Sequence, residues 1–369
     1  MKYMWMILFL MLPLLGLAYV GWHVWTLVPL SRLFRSVLIG VGVLSFMLMF
    51  LNFGRVIDQM PLSLARLSYD VGNSSIFVLL YLVILFLVLD LGRLLHVVPA
   101  AWLRQNLYVT MAIALGLFAV FLLGNIHYIN KVRVEQQLTT GKPLSRPLRL
   151  VMASDLHLGY HNPRHELARW VDMINGEQPD VILIAGDIID MSMRPLLEER
   201  MAEEFRRLEA PVYACLGNHE YFTGEPLAQQ FYRDAGIHLL RDSCVLTHEG
   251  LLIVGRDDRS NPHRKALRRL LQNSGYDTSG HYTIVLDHQP YHLEQAEQAG
   301  ADFQFSGHTH RGQVWPISWI TDRVYECSFG SWQRGQTHYY ISSGLGIWGG
   351  KFRIGTQSEY IVATLLPQD

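Results

Sequence analysis

Four runs of this sequence carry no Asp, Glu, Lys or Arg for the length a helix needs to cross a bilayer, roughly 17–25 residues. They extend from Tyr3 to Ser31, Ser36 to Gly54, Val71 to Leu89, and Leu107 up to Lys131. A buried core helix explains one such run, but not four in succession separated by short segments that hold Arg32, Arg35, Arg55, Arg66, Arg93 and Arg104. Residues 1–130 therefore read as an all-α transmembrane domain of four spans, with the lipid bilayer as its partner. The first run starts after Lys2, as a signal peptide would. Its length, its Pro13 and the hydrophobic segments that follow point instead to an uncleaved first helix. Trp5, Trp22, Trp25, Tyr69, Trp102 and Tyr108 fall near the ends of the runs, where an aromatic ring with one polar edge suits the headgroup layer. His23 and His127 read as interfacial for the same reason.

An even number of spans puts both ends of the chain on one side. Lys2, Arg55, Arg66, Lys131, Arg133, Lys142, Arg146 and Arg149 lie on that side and Arg32, Arg35, Arg93 and Arg104 on the other. This bias of basic residues predicts a multi-pass cell-membrane protein whose C-terminal domain is cytoplasmic. Three widely spaced cysteines, Cys215, Cys244 and Cys327, form no disulfide framework and suit a reducing compartment. The net charge of -1 supplies no basic field for nucleic acid.

Gly141, Pro143 and Pro147 break any helix between the last run and the first β-like segment, so residues 131–147 are expected to be an interdomain linker. From 148 to 369 short apolar β-prone runs first alternate with polar helical segments: Leu148–Ala153, Val181–Ala185 and Val212–Cys215, with helices around 166–175, 196–208 and 226–235. Strands then come closer together: a hairpin over 243–254 across Glu249-Gly250, then Tyr282–Leu286, 303–305, 338–342 and 360–365. This is an α/β pattern, read as a sandwich of mixed sheets flanked by helices.

Nearly every β-like run ends in a small polar set. Leu148–Ala153 ends in Ser154-Asp155-Leu156-His157, Val181–Ala185 in Gly186-Asp187, and the next run in Gly217-Asn218-His219-Glu220. The later runs end in Asp287-His288 and Ser306-Gly307-His308-Thr309-His310. Loops at the carboxyl ends of the strands form the crevice of open α/β sheets, so these residues are expected to converge. Imidazole and carboxylate together suit Zn, Fe and Mn. Asp187 is the natural bridge between two ions. Asp155 with His157, and His308 with His310, are each two apart on what reads as an extended segment, and so point the same way. Glycines 186, 217 and 307 are expected to allow tight turns. Two divalent ions at such a site would clamp a phosphoryl group and activate water, with His219 placed to protonate the leaving oxygen. No GxSxG motif supports a covalent acyl route.

At these residues the chain resembles the calcineurin-like metallophosphoesterase superfamily, whose pattern Asp-x-His, Gly-Asp, Gly-Asn-His-Asp/Glu, His and Gly-His-x-His is matched in full. Asp155-Leu156-His157-Leu158-Gly159, Gly217-Asn218-His219-Glu220-Tyr221 and Gly344-Leu345-Gly346 look most like its bacterial YkuE/YaeI-like branch. The N-terminal half resembles the animal transmembrane protein with metallophosphoesterase domain. The resemblance implies an αββα sandwich from about 148 to 366. It implies a first metal held by Asp155, His157, Asp187 and His310, a second held by Asp187, Asn218, His288 and His308, and His219 as the catalytic histidine. Arg311 departs from the branch, which usually has Gly there; it suits a substrate phosphate or a plain surface position. Asp190, His161, His165, Tyr221 and Arg353 read as structural, with contact to the site as the alternative. Trp315, Trp319, Trp332 and Trp348 suit packing, an apolar wall for a lipid, or the membrane surface.

The expected activity is hydrolysis of a phosphodiester, phosphomonoester or pyrophosphate, with lipid-linked substrates included. The alternative, an inert metal-binding scaffold or receptor in the membrane, would show the loss of a ligand or of His219, and none is lost.

Overall fold

The computed structural model describes residues 2–53 and 56–368, with side chains from 11 onward except at 53. Gly54 and Arg55, and the side chains of Lys2, Tyr3 and Trp5, lie outside the described residues. The chain divides into two compact units, one of residues up to Gly124 with Gly349–Lys351, the other of Asn125–Trp348 with the C-terminal segment from Phe352.

The first unit is helical, with long helices over Lys2–Leu27, Arg32–Leu48, Leu62–Leu94 and Leu107–Ile129. Three described segments, Arg32–Asn52, Leu62–Leu94 and Leu107–Ile129, are long and apolar enough to cross a membrane. The helix Leu62–Leu94 is longer than the charge-free run within it, because Arg66 and Asp70 in its first turns need only water or headgroups. At 33 residues it measures about 50 Å, more than the ~30 Å hydrocarbon core. Without a strong hydrophobic drive between helices in lipid, close packing decides where they meet. Gly72 shows this: a Cβ there would lie 2.6 Å from the backbone nitrogen of Met49. His23 is buried and stacked on Phe86, ring centres 4.2 Å apart, and it shares the Asp90 carboxylate with the Tyr19 hydroxyl at 3.0 and 2.7 Å.

The second unit is a four-layer sandwich. One sheet holds β1 (Lys131–Thr140), β2 (Leu148–Ala153), β3 (Val181–Ala185), β4 (Val212–Cys215) and β5 (His238–Leu239). The other holds β6 (Ser243–Leu246), β7 (Leu251–Gly255), β8 (Tyr282–Leu286), β9 (Phe303–Ser306), β10 (Gly330–Arg334) and β11 (Thr337–Ile341). The last strand, β12 (Ser358–Pro367), returns to the first sheet, giving the orders β1-β12-β2-β3-β4-β5 and β10-β11-β9-β8-β7-β6. Strands β2 to β5 run parallel, as do β7, β8, β9 and β11.

Period-2 alternation explains the layers. Leu150, Met152, Leu183, Ile253, Ile284, Phe303 and Phe305 meet between the sheets. Their neighbours Val151, Ile182 and Ile184 face Leu167, Trp170 and Ile174 of the helix Arg164–Gly176. On the other outer face Leu252, Val254 and Val285 pack on Leu267, Leu270 and Leu293. Central strands buried on both faces read as continuous apolar runs.

Residues 131–147 differ from the expected linker. Lys131–Thr140 pairs in parallel with β12 along its whole length, Lys131 opposite Ser358 and Thr140 opposite Pro367. Its sequence alternates polar and apolar weakly because it is an edge strand, mostly exposed, whose backbone hydrogen bonds rather than side chains fix it. Only the turn with Gly141, Pro143 and Pro147 connects.

Candidate metal centre

Chain direction brings the predicted residues together: Asp155, Asp187, Asn218, His288 and His308 all follow the carboxyl ends of β2, β3, β4, β8 and β9. Loop-to-loop bonds then fix their spacing. Asp155 N donates to Gly186 O at 3.1 Å, His157 N to Asp187 O at 2.9 Å, and Gly307 N to His288 O at 3.0 Å.

Among the described residues three groups of donor atoms form, each within 4.8 Å: Asp155, His157 and His310; His157, Asp187 and His219; Asp187, His288 and His308. Asp187 Oδ2 lies 3.7 Å from His157 Nε2 and 3.0 Å from His288 Nε2, so one carboxylate oxygen reaches both ends of the cluster. His310 Nε2 is 3.4 Å from Asp155 Oδ1 and 3.2 Å from His157 Nε2. Ser154 Oγ and the backbone nitrogen of His308 both donate to the Asp155 carboxylate. Nδ1 of His288 is bonded to Ala185 O at 2.7 Å, which turns Nε2 toward Asp187.

These donor groups fit divalent metal. Asn218 Oδ1 is buried without a hydrogen bond among the described residues. A buried lone pair without a donor is costly, and a cation is one partner that relieves it. Burial opposes charge on His288, yet Asp187, 3.0 Å from its Nε2, outweighs it and raises His288 above its ordinary range. Burial opposes charge on Asp155, yet His310 and His157 outweigh it and hold the carboxyl below its ordinary range. Burial likewise works against Asp187, whose histidine neighbours, His288 foremost, keep it ionised. Burial lowers His308 to about 4, and it pushes His310 down as well. Ionised carboxylates and neutral imidazoles are the forms that bind metal. His157 is buried too, but Asp155 and Asp190 raise it to about 10. A field that attracts a proton so strongly also attracts a cation.

The backbone reaches this geometry differently from the extended segments expected of it. Asp155, His157, Asp187, His308 and His310 all have positive φ, between 46° and 71°. Left-handed turns, each costing of order 1–3 kcal/mol, fold the side chains inward where straight β-alternation would carry them past the site. Of the three glycines, Gly186 alone needs its φ of +75°. Gly217 and Gly307 are there for close approach: a Cβ would come within 2.6 Å of Asp187 N at the first and 2.7 Å of Ser154 Cβ at the second.

His219 stands slightly apart. Its backbone nitrogen donates to Asp187 Oδ1 at 2.9 Å, and its Nδ1 faces two acceptors of Asp190, the carbonyl at 3.2 Å and Oδ1 at 3.3 Å. Nδ1 is therefore the protonated nitrogen, and Nε2 makes neither of these bonds. Asp190 Oδ1 also bonds His157 Nδ1 at 3.2 Å. Thus Asp190, read from sequence as structural, orients two members of the site; the spacing Gly-Asp-x-x-Asp was the signal available. We expect Asp190→Asn to lower kcat by about 10–100-fold, as loss of an outer-shell partner does, with KM and fold changed little. Wild-type kcat in that variant would refute the role.

Glu220 is fully buried and accepts from Gly217 N, Asp187 N and Ile189 N at 2.7, 3.1 and 3.0 Å, tying two ligand loops together. Arg353 is fully buried as well; it donates to the carbonyls of His310, Ser343 and Gly346 at 2.9, 2.5 and 2.9 Å, and also to that of Gly344. It clamps the loop that ends in His310 and does not face solvent. Arg353→Ala should cost about 3–5 kcal/mol of stability, as breaking a buried charged network does; urea denaturation measures it, and a loss under about 1 kcal/mol would refute the clamp.

Of the other candidates, Tyr221 bonds Asp257 at 2.7 Å, His161 bonds Ile347 O, and His165 is exposed. Arg311 lies over the Phe329 ring at 4.5 Å. Trp332 packs in the second sheet's outer core, whereas Trp315 and Trp319 meet edge to face at 5.3 Å and stay exposed, as does Trp348.

The calcineurin-like phosphoesterase profile matches residues 148–312. The transmembrane protein with metallophosphoesterase domain of Danio rerio is 30% identical over 331 residues, 82% of this chain and 74% of that protein. The chain belongs to the calcineurin-like metallophosphoesterase family. A metallophosphoesterase of Aquifex aeolicus is 29% identical over 68% of this chain and 98% of its own length. The Bos taurus transmembrane protein with metallophosphoesterase domain is 29% identical over 59% of this chain and 52% of that one. This metallophosphoesterase thus joins apolar N-terminal helices, three of them described as long enough to span, to an α/β domain with metal-binding groups.

Proposed function

We propose that this chain is a four-span, membrane-anchored phosphoesterase with two divalent ions, Mn, Fe or Zn. The observation that carries this reading is the double reach of Asp187 Oδ2, toward His157 in one ligand group and His288 in the other. Asp155, His157, Asp187 and His310 would hold the first ion, and Asp187, Asn218, His288 and His308 the second. When bound, such a pair neutralises phosphoryl oxygens and lowers the pKa of an attacking water. His219, its Nδ1 proton fixed by Asp190, presents Nε2 to the leaving oxygen and, in the imidazolium form, transfers the Nε2 proton there, which leaves the neutral imidazole. The buried carboxylates and imidazoles keep the ligands preorganised, so little reorganisation opposes reaction.

The helix Lys2–Leu27 has 26 residues, about 39 Å, and supplies the fourth span. The metallophosphoesterase domain, from residue 148 onward, would lie on the cytoplasmic side with the N-terminus. A lipid-linked ester suits the site because the helix Ile317–Val324, just beyond His310, exposes Trp319 at 65%, Ile320 at 62% and Val324 at 56%. Apolar side chains so exposed are at home against acyl chains.

The test is hydrolysis of bis-p-nitrophenyl phosphate and p-nitrophenyl phosphate by the full chain in detergent, with Mn, Zn or Fe. Turnover that a chelator abolishes and metal restores is expected. No turnover of either ester by folded, metal-loaded protein would overturn the reading.

A further inference from the structure

Strand β7 ends in Gly255 and runs into Arg256-Asp257-Asp258-Arg259, and the following loop brings Arg264 and Lys265 back beside Arg256. Arg256, Arg259, Arg264 and Lys265, with Tyr291 and His292, line a cavity of about 320 Å³. None belongs to the ligand groups. Four cations, Arg256, Arg259, Arg264 and Lys265, stand here, with Asp287, Asp258 and Asp242 as the carboxylates in their field. Asp287 Oδ2 accepts from Arg256 Nη1 at 3.0 Å and from Arg264 Nη2 at 2.7 Å. Asp257 is engaged by Arg241 at 2.7 Å, the Asp258 carboxylate accepts from Gln289, and His292 faces Glu294 at 3.2 Å.

Arg256 is 95% buried at 5% exposure, and its Nε, together with Nε and Nη1 of Arg264, is buried without an acceptor among the described residues. Buried guanidinium donors left unmatched are costly. Beside a cavity that Arg259 and Lys265 also line, they suit an oxyanion, which accepts from planar guanidinium forks.

The cavity adjoins the metal centre by two routes. Asp287 directly precedes His288. A row of rings also connects them: His308 to Tyr325 at 6.3 Å, Tyr325 to Tyr291 at 4.7 Å, and the Arg259 guanidinium 4.0 Å from the Tyr291 ring centre.

We infer that this pocket is a second anion subsite, taking a phosphate or carboxylate that the substrate carries away from its scissile ester. Preferred substrates are then esters with two separated anionic groups. The inference rests on the phosphoesterase reading for the reacting end alone.

The experiment is calorimetric titration of the full chain in detergent, loaded with Mn, with glucose 1-phosphate and glucose 1,6-bisphosphate. Arg259→Ala, Lys265→Ala and the charge-keeping Arg259→Lys are titrated alongside; both positions are exposed, so the fold should survive. The wild type should bind the bisphosphate about tenfold or more tighter, as expected of one charge-assisted contact. Each alanine should cut that advantage below about threefold, while Arg259→Lys keeps most of it. Equal binding of the two sugars by the wild type would overturn the subsite. So would an advantage kept in both alanine variants, or equal weakening of both sugars, which marks a general field. If inorganic phosphate shows Arg259-dependent binding as tight as the bisphosphate, the pocket serves a free anion and the claim about substrate falls. Repeated in the His219→Ala background, the titration reads binding without turnover, so failure of ester hydrolysis would be a separate result.

Discussion

Asp187→Asn is expected to lower kcat/KM for bis-p-nitrophenyl phosphate by about 10³-fold or more, beyond the 10–100-fold typical of outer-shell changes, and to reduce the bound metal from two ions per chain to one or none. The asparagine keeps an oxygen able to accept from His219 N, a bond now 2.9 Å long, so the loop geometry is largely preserved and the lost charge is what is measured. Every other predicted ligand serves one ion; Asp187 alone faces both histidine sets. Elemental analysis of the purified variant reads the stoichiometry directly. Two tightly bound ions with near-normal turnover would rule out the bridge and with it the two-ion arrangement.

The second large effect is expected at His219. His219→Ala should reduce kcat by about 10²–10⁴-fold, the range for a lost general acid, while metal content stays at the wild-type level. The two measurements separate two roles, since His219 also stands within reach of His157 and Asp187. A variant that loses an ion as well as activity would make His219 a ligand and leave the proton donor to be sought elsewhere. With a leaving group of low pKa, such as p-nitrophenolate, the loss should be smaller than with an alkyl ester. Equal losses on both esters would argue against proton donation.

Much of the site was legible in the linear chain because strand ends and chemistry coincide. Asp155, Asp187, Asn218, His288 and His308 each follow an apolar run, and a parallel sheet stacks the carboxyl ends of its strands at one edge. Patterning along the chain was therefore enough to foresee that they converge. The same applies to three of the charge-free runs, which lie in helices long and apolar enough to cross a membrane, since bilayer thickness and helix rise turn a length of sequence into a candidate span.

Other features follow only from the tertiary structure. Strand β1 reads as a linker because an edge strand is held by backbone bonds to β12, more than 200 residues away in sequence, and backbone bonds leave little trace in side-chain pattern. Arg353 carries the charge of a surface residue, and only its four carbonyl partners, those of His310, Ser343, Gly344 and Gly346, reveal a buried clamp. Asp190 could be placed near the site by spacing, but its sharing between His157 and His219 depends on where two loops cross. The left-handed turns at five ligand positions, and the arginines gathered at the end of β7, are likewise set by packing between segments far apart in the chain. Sequence alone thus determined which chemistry the chain carries and which half carries it, because periodicity and strand-end position are local properties. The tertiary structure decided how those groups are aimed, charged and supported, because aim and support come from contacts between loops that no local pattern records.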